Sequence, residues 1–384
     1  MQWPLEGLLV VDFSQFLAGP YASLRLQDMG ARVIKIENPD GGDLCRRHYL
    51  SETRIGTDST LFHAINRGKE SVTLDLKSPS GLANALKLVA KADVVIQNFR
   101  PNVIERLGLG YDTVRKVNPK VVYGSVTGYG ADGDWADKPG QDLLAQARSG
   151  IMWLSGNATA GPVPIGLPLA DISTGANLTT AILGALLRQA RTGQGAHVET
   201  SLLESLTDMQ FELLTTYLNN GGDLPQRLDH GSAHRYLGAP YGVFETQDGH
   251  LALAMTRLDV LADALELPEI ATIGTAPNAG FTHRTKIHNL IADRLRTQDA
   301  AWLETHLGGH DIWCAKVLTW DDMFTSGSFQ ALDMLRAIDT QDAKSAQFVK
   351  APFRMDGARP ELNRAGPTLN EHNASIREEF DLED

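Results

Sequence analysis

The stretch GLLVVDFSQFLAGPYASLRLQDMGARVIKIE (Gly7–Glu37) decides the fold, because it predicts a strand, a helix and a second strand in close succession. Gly7–Ser14 is a short apolar run rich in Val and Leu, which is typical of a buried strand. Pro20 marks the start of a helix and Gly30 marks its end. Ala31–Glu37 is a second apolar strand. Two buried strands joined by a helix indicate a parallel sheet.

The same alternation continues along the chain. The segment Ser78–Ala92 begins with a helix start signal and has helical spacing of its apolar residues. Further strands are predicted at Ser71–Lys77, Asp93–Phe99 and Lys120–Gly130. The sequence therefore predicts an α/β fold with a doubly wound, Rossmann-like sheet, whose ligands should gather at the carboxyl ends of the strands.

After residue 205 the pattern changes. Apolar and polar residues alternate along Tyr241–Arg257 on both sides of Asp248-Gly249, which strongly predicts a β-hairpin. Helices are predicted at Leu258–Leu267, Arg284–Arg296 and Ala300–Leu307, and a strand at Gln347–Met355. We therefore expect a large Rossmann-like domain over 1–205, a smaller α+β domain over 206–329, and a C-terminal return over 330–384 that completes the large domain.

Composition excludes several classes of protein. The 384 residues carry a formal net charge of −12, which disfavours nucleic acid and anionic membranes as partners. No apolar stretch reaches the ~20 residues of a membrane span, and the N-terminus has no basic leader. Cys45 and Cys314 form no CxxC pair, so a reducing, cytoplasmic compartment is expected. No His, Cys or acidic spacing indicates a metal site.

Two local motifs have simple structural interpretations. GYGADG (Gly128–Gly133) matches the GxGxxG pattern and follows a predicted strand. The segment after it contains a proline and two aspartates, which predicts a loop and not the helix that a dinucleotide site requires. Cys314 stands alone in an apolar context, which is more typical of a core cysteine than of a nucleophile.

One acidic residue, Asp171, stands out in the stretch PLADISTGANLTTAILGALL (Pro168–Leu187). The apolar residues that follow it have helical spacing, so a helix is predicted to begin near this position. Asp is a favoured N-cap because its oxygens accept the free N–H groups of the first turn. Taken by themselves, these residues favour a helix cap over a catalyst.

A set of longer strings carries a family resemblance. In order, the chain contains VVDFSQFLAGPYASLRLQDMGARVIKIENPDGGD, NRGKESVTLDLKSPSG, ADVVIQNFRPNVIERLGLGYD, NPKVVYGSVTGYGADG, PGQDLLAQARSG, PLADISTG and RTGQGAHVETSLLES. They cover most of Leu5–Leu206 and resemble family III CoA-transferases, the CaiB/BaiF group that includes formyl-CoA and carnitine CoA-transferases. The α-methylacyl-CoA racemases share this fold. The resemblance implies a transferase that moves CoA from an acyl-CoA donor to a carboxylic acid.

The resemblance also implies a role for Asp171, which occupies the position of the family's nucleophile. Its carboxylate is expected to form a mixed anhydride with the acyl group and then an aspartyl-CoA thioester. A helix N-terminus behind Asp171 is expected to keep this carboxylate ionised. Acyl-CoA is then a substrate, and no tightly bound cofactor is implied.

CoA contacts are implied for the positions that match the family's motifs. They are Gln15, Phe16, Leu17, Ala18, Asn38, Leu74, Lys77, Asn98, Phe99, Arg100, Arg106 and Gln141. Lys and Arg suit the phosphates of CoA. Asn38 stands where the family often has Arg, so Arg46 or Arg47 is expected to compensate. His234 and Arg235 are candidates for reading a second carboxylate of the acid.

Gln141 separates the transferase reading from its alternatives. The racemase branch carries a His here, and an amide cannot exchange the proton of an α-carbon at neutral pH. A racemase would need another base, and a non-catalytic acyl-CoA-binding protein would have no need of Asp171, so both readings remain as alternatives. The family's architecture further implies a ring-shaped chain that forms an interlocked homodimer.

Overall fold

The computed structural model describes residues 2–48, 50–231, 233–340, 345–361 and 363–383, without the side chain of Ser51. The chain divides into two compact units. The large unit comprises Met1–Ser149, Gly166–Met209 and Asp333–Asp384, and the small unit comprises Gly150–Ile165 and Gln210–Leu332. The sequence placed the first boundary after residue 205 and assigned 150–165 to the large domain, whereas these residues cluster with the small unit.

The strands are numbered in chain order: β1 (Leu9–Asp12), β2 (Arg32–Glu37), β3 (Arg54–Ile55), β4 (Asp58–Ser59), β5 (Glu70–Thr73), β6 (Val94–Gln97), β7 (Val122–Thr127), β8 (Ala196–Ser201), β9 (Gly242–Glu245), β10 (His250–Leu253), β11 (Cys314–Lys316), β12 (Leu335–Ile338) and β13 (Ala346–Val349).

The helices are α1 (Ala18–Asp28), α2 (Thr60–Asn66), α3 (Pro79–Val89), α4 (Val103–Arg106), α5 (Tyr111–Val117), α6 (Asp142–Ser149), α7 (Ile151–Leu154), α8 (Leu169–Thr192), α9 (Leu202–Asp208), α10 (Phe211–Asn219), α11 (Leu258–Leu265), α12 (Pro268–Gly274), α13 (Ala279–Thr282), α14 (Arg284–Leu295), α15 (Ala300–Gly308), α16 (Trp320–Thr325), α17 (Gly327–Leu332) and α18 (Asn373–Phe380). No helix in the described part of the chain is long and apolar enough to cross a membrane.

The described residues of the large unit form a six-stranded sheet in the order β5-β2-β1-β6-β7-β8. Every pairing in this sheet is parallel, which confirms the predicted α/β class with a parallel central sheet. The chain order runs outward in both directions from β1 and β6. The boundary between β1 and β6, where the direction of strand addition reverses, is the topological switch point at which doubly wound folds bind ligands.

One strand of this sheet, β8, was not predicted from the sequence. Its residues alternate between buried and exposed, and it pairs only with β7 because it lies at the sheet edge. An edge strand covered on one face lacks the continuous apolar run by which the inner strands were recognised.

The C-terminal segment packs onto the large unit beside β5. The His372 N–H donates to the Ser71 carbonyl at 3.0 Å, and the Thr73 N–H donates to Asn373 Oδ1 at 2.9 Å. Ile376 on α18 is fully buried in the same hydrophobic core as the sheet. The return predicted from the sequence thus lies against the outer strand of the sheet.

The small unit is built around a hairpin. Strands β9 and β10 pair antiparallel, with β11 on the far side of β10, which confirms the hairpin predicted at Asp248-Gly249. Helices α11, α14 and α15 contribute Leu261, Ile287 and Leu303 to a core on this sheet. The unit therefore has its own hydrophobic core and the predicted α+β character.

Candidate active site

The loops after β1 and β6 meet at the switch point of the large unit. The Gln15 N–H donates to Asn98 Oδ1 at 2.8 Å, and Asn98 Nδ2 donates to the Gln15 carbonyl at 2.7 Å. This reciprocal pair fixes the two loops to each other. Two of the residues implied to contact CoA are therefore neighbours, although 83 positions separate them in the chain.

The next residues of the first loop have different exposures. Phe16 adopts a left-handed backbone conformation (φ 62°) and leaves 47% of its surface exposed. Leu17 and Ala18 begin α1 and are buried. The loop therefore presents the ring of Phe16, while Leu17 and Ala18 anchor it in the core.

A cavity of about 120 Å³ opens beside these loops. Five of the residues predicted to contact CoA line it: Gln15, Asn38, Leu74, Lys77 and Phe99. The remaining lining residues are Phe13, Ile36, Glu37, Asp75, Leu76 and Leu107. The structure therefore brings these predicted residues to one place, at the carboxyl ends of β1, β2, β5 and β6.

A network of buried charged residues fixes the loop that carries Phe16. This network was not predicted from the sequence. Lys35 Nζ donates to the Ser14 carbonyl at 2.8 Å and lies 2.8 Å from Asp43 Oδ2. Asp43 Oδ1 accepts the N–H groups of Phe16 at 3.2 Å and of Cys45 at 2.9 Å. Lys35 is completely buried. The network thus ties the strained residue of the loop to β2.

A second buried lysine completes this network. Lys69 Nζ lies 3.1 Å from Asp12 Oδ2 and also donates to Ser23 Oγ and Asn66 Oδ1. Burial lowers the pKa of Lys69 to about 8, against the attraction of Asp12. Burial raises the pKa of Asp12, but Lys69 and Lys35 outweigh it and bring that pKa to about 2. Nothing in the local sequence around Asp12 predicts that Lys69, 57 positions away in the chain, is its ion-pair partner.

Arg46 and Arg47 were the two residues expected to compensate for Asn38; the contacts of Arg46 argue against it, whereas Arg47 is exposed and stays a prediction. Arg46 is buried, and it lies 2.6 Å from Glu37 and 2.7 Å from Asp58. Its guanidinium also sits over the Phe62 ring, 3.7 Å from the centroid. Arg46 therefore stabilises the fold of the large unit.

The predicted phosphate ligands Arg100 and Arg106 are exposed.

Asp171 lies in the first turn of α8. The helix begins at Leu169, and the N-cap position is held by Pro168, so the interpretation of Asp171 as the N-cap is wrong. Asp171 is partly buried, and none of the described residues donates a hydrogen bond to its carboxylate. Burial, together with the nearby Asp142 carboxylate, raises the pKa of Asp171 to about 7.

The capping role belongs to Asp142, at the start of α6. Its Oδ1 accepts the N–H of Ala170 at 2.6 Å and that of Asp171 at 3.2 Å. Gln146 Nε2 donates to the other oxygen, Oδ2, at 2.6 Å. The expectation that the helix N-terminus keeps Asp171 ionised is therefore wrong, because a neighbouring carboxylate occupies that terminus. Gln141, which precedes Asp142, is exposed.

The small unit shows what His234 and Arg235 do. Arg235 is buried and donates to the carbonyls of Leu154 and Gly156. His234 lies 3.6 Å from Glu212. The Arg235 guanidinium thus stabilises a loop of its own unit, which argues against the prediction that it binds the second carboxylate of the acid substrate. Ser232, in the same segment, lies outside the described residues.

Comparison with known proteins identifies the family of this chain. A family model described as CoA-transferase family III matches residues 5–373. The chain is 33% identical to a succinate–glutarate CoA-transferase of Agrobacterium fabrum, over 98% of this chain and 96% of the relative. It is 33% identical to a succinyl-CoA:mesaconate CoA-transferase of Haloarcula hispanica and 34% identical to an acetyl-CoA:oxalate CoA-transferase of Acetobacter aceti, with the same coverage.

Solved structures agree with these relatives. A CaiB/BaiF family protein from Brucella suis superimposes with a TM-score of 0.84 at 32% identity, over 99% of this chain and 100% of that one. The protein Rv3272 from Mycobacterium tuberculosis superimposes with a TM-score of 0.84 at 28% identity, over 97% and 99% of the two chains.

Proposed function

Because the chain belongs to CoA-transferase family III and moves CoA from an acyl-CoA to a carboxylic acid, we propose that Asp171 carries out this transfer by covalent catalysis. The observation that supports this proposal is the state of Asp171. Its carboxylate is partly buried, accepts no hydrogen bond from the described residues, and has a pKa raised to about 7. A weakly solvated, more basic carboxylate is the more reactive nucleophile.

The proposed reaction has four steps. The Asp171 carboxylate attacks the thioester carbonyl of the acyl-CoA, and the C–S bond breaks to give a mixed anhydride and CoA thiolate. The thiolate attacks the aspartyl carbonyl of the anhydride and expels the first acid as its carboxylate, which leaves an aspartyl-CoA thioester. The carboxylate of the second acid repeats these two steps in reverse. Each step exchanges one carboxylate or thiolate for another, so charge balances throughout.

Part of the CoA moiety is proposed to lie in the cavity at the switch point, which at about 120 Å³ is too small for the whole molecule. Lys77 and Asn38 supply polar groups there, and Leu74 and Phe99 supply apolar surface. Gln15, Phe16 and Asn98 belong to the loops beside the cavity, and the exposed Arg100 and Arg106 follow β6 along the chain. Their charge suits phosphate groups in an otherwise acidic protein.

Dicarboxylates are proposed as the acid substrates. The supporting observation is that the three relatives named above are described as acting on succinate and glutarate, on mesaconate, and on oxalate. A screen of these acids with succinyl-CoA and acetyl-CoA as donors tests the assignment. Monocarboxylates such as butyrate serve as the control, and faster transfer to them would contradict it.

Covalent trapping tests the proposed intermediates directly. With succinyl-CoA and hydroxylamine, we expect a hydroxamate on Asp171, because hydroxylamine cleaves the aspartyl thioester at its aspartyl carbonyl, whereas attack on the mixed anhydride divides between its aspartyl and succinyl carbonyls. Mass analysis of the proteolytic peptides locates the modification. Incubation without acyl-CoA is the control. Modification of a different residue, or of none while transfer proceeds, would contradict the proposal.

We also propose that the chain forms a ring and that two rings interlock in a homodimer. The resemblance supports this, as does the chain path, which leaves the large unit after Met209 and rejoins it at Asp333. Interlocked rings cannot separate without unfolding. Tagged and untagged protein mixed under native conditions should therefore form no hybrid dimers, whereas mixing after denaturation and refolding should form them. Rapid hybrid formation in the native mixture, or a monomer at micromolar concentration, would contradict interlocking.

A cytoplasmic location is proposed on the basis of the cysteines. Both are free thiols, and burial raises the pKa of Cys45 to about 12. A thiol with such a high pKa forms little reactive thiolate. This fits a compartment in which the protein needs no disulfide.

A further inference from the structure

We propose that Asp142 is a positioning residue for the nucleophile: its carboxylate fixes the first turn of α8 and, by its charge, favours the acylated forms of Asp171 over the free carboxylate. This inference rests on the proposed covalent mechanism. It concerns a residue that sequence reasoning treated only as part of a motif.

The geometry of Asp142 places a fixed charge next to the nucleophile. Its Oδ1 accepts the N–H of Asp171 itself at 3.2 Å and that of Ala170 at 2.6 Å. Its Oδ2 accepts Gln146 Nε2, and that amide also reaches the Leu167 carbonyl at 3.4 Å. Gln146 is almost completely buried. Both oxygens of Asp142 are therefore anchored, so the carboxylate cannot turn away from Asp171.

This arrangement changes what the helix N-terminus stabilises. The free N–H groups at the start of a helix form a partial positive charge that favours an anion. Asp142 binds two of these groups and is itself the anion that they stabilise. Asp171, although it lies in the first turn, gains little from them and faces a like charge instead.

The like charge has a consequence for each covalent step. Forming the anhydride or the thioester converts Asp171 from an anion into a neutral acyl group, as protonation does. Repulsion by Asp142 disfavours the anion and leaves both neutral forms almost unaffected. Asp142 therefore favours acylation for the same physical reason that it raises the pKa of Asp171.

Most other charged and titratable groups near α8 have partners of their own, and the Asp208 carboxylate on α9 is exposed. Helix α8 packs against α1, α6, α9, β7 and β8. On the helices, Arg25 pairs with Asp28, Arg148 lies over the Tyr129 ring, and Glu204 accepts a hydrogen bond from Ser201. On the strands, the Tyr123 hydroxyl donates to a carbonyl, and His197 contacts Ser125 and Glu199. Within the described residues, Asp142 is the charge that perturbs Asp171.

The decisive variant is Asp142→Asn, which keeps an oxygen to accept the two N–H groups but removes the charge. In the wild type, kcat/KM for succinyl-CoA should rise with pH through about 7, because Asp171 must be deprotonated to attack. In the variant, this rise should occur at lower pH. The ratio of aspartyl-CoA thioester to free enzyme, measured by rapid quenching and mass analysis, should fall about tenfold for each unit by which the pKa drops.

Two further variants separate charge from capping and from folding. Asp142→Ala, which is also neutral but accepts neither N–H group, should shift the pH profile like the Asn variant, so an effect seen only in the Ala variant belongs to the lost hydrogen bonds. Asp208→Asn, an exposed carboxylate on α9, is the matched control and should leave the pH profile unchanged. An unshifted profile and undiminished thioester in both neutral Asp142 variants would overturn the inference. Absence of the thioester in the wild type would instead overturn the covalent mechanism itself.

Discussion

Replacing Asp171 by alanine should abolish CoA transfer, with a fall in kcat of ~10³ or more. Loss of a covalent nucleophile can cost up to ~10⁶ in kcat, because water cannot take over its role. The fold should survive, because alanine is the best helix former and no described hydrogen bond to the Asp171 carboxylate is lost. The measurement is initial-rate transfer from succinyl-CoA, with circular dichroism to confirm the fold.

CoA binding distinguishes this loss of chemistry from a loss of the site. The predicted CoA contacts other than Gln141 follow β1, β2, β5 and β6 along the chain and do not depend on the Asp171 side chain. Calorimetric titration with CoA should therefore give similar affinities for Asp171→Ala and for the wild type. Asp208→Ala, which removes an exposed carboxylate on α9, should keep full activity. Transfer by Asp171→Ala at even a tenth of the wild-type rate would refute the assigned role.

Replacing Lys35 by methionine should destabilise the protein by about 3–5 kcal/mol, the usual consequence of removing one partner of a buried ion pair. Methionine fills much of the space but leaves the Asp43 carboxylate without its counter-charge and the Ser14 carbonyl without its donor. The free energy of unfolding, measured by urea denaturation, should fall by this amount.

The same variant should weaken acyl-CoA binding, because Asp43 also holds the N–H of Phe16. Lys116→Met is the matched control, since Lys116 is exposed on α5, and its stability should change by less than ~0.5 kcal/mol. An equally small change for Lys35→Met would show that water or rearrangement compensates the buried charge, and would contradict the role given to the network.

Part of the site could be predicted because it depends on local order along the chain. The strand, helix and strand of Gly7–Glu37 follow from runs and spacings within a few residues, and the continued alternation predicts a doubly wound sheet with ligands at the carboxyl ends of its strands. Gln15 and Asn98 were each placed near the end of a predicted strand, but only the strand order of the folded sheet brings them together. The resemblance then singled out Asp171, which its own neighbours had indicated only as a cap.

The sequence by itself determined the parallel sheet and the hairpin of the small unit, because backbone propensity and apolar periodicity act between near neighbours. The residues predicted to contact CoA came from the family resemblance. Only the tertiary structure decided which charges meet. Asp142 caps a helix that begins 27 residues later, Lys35 neutralises Asp43, and Arg46 and Arg235 stabilise loops where substrate contacts had been expected. Electrostatic partners are chosen by distance and burial in the folded chain, and neither quantity has a period along the sequence.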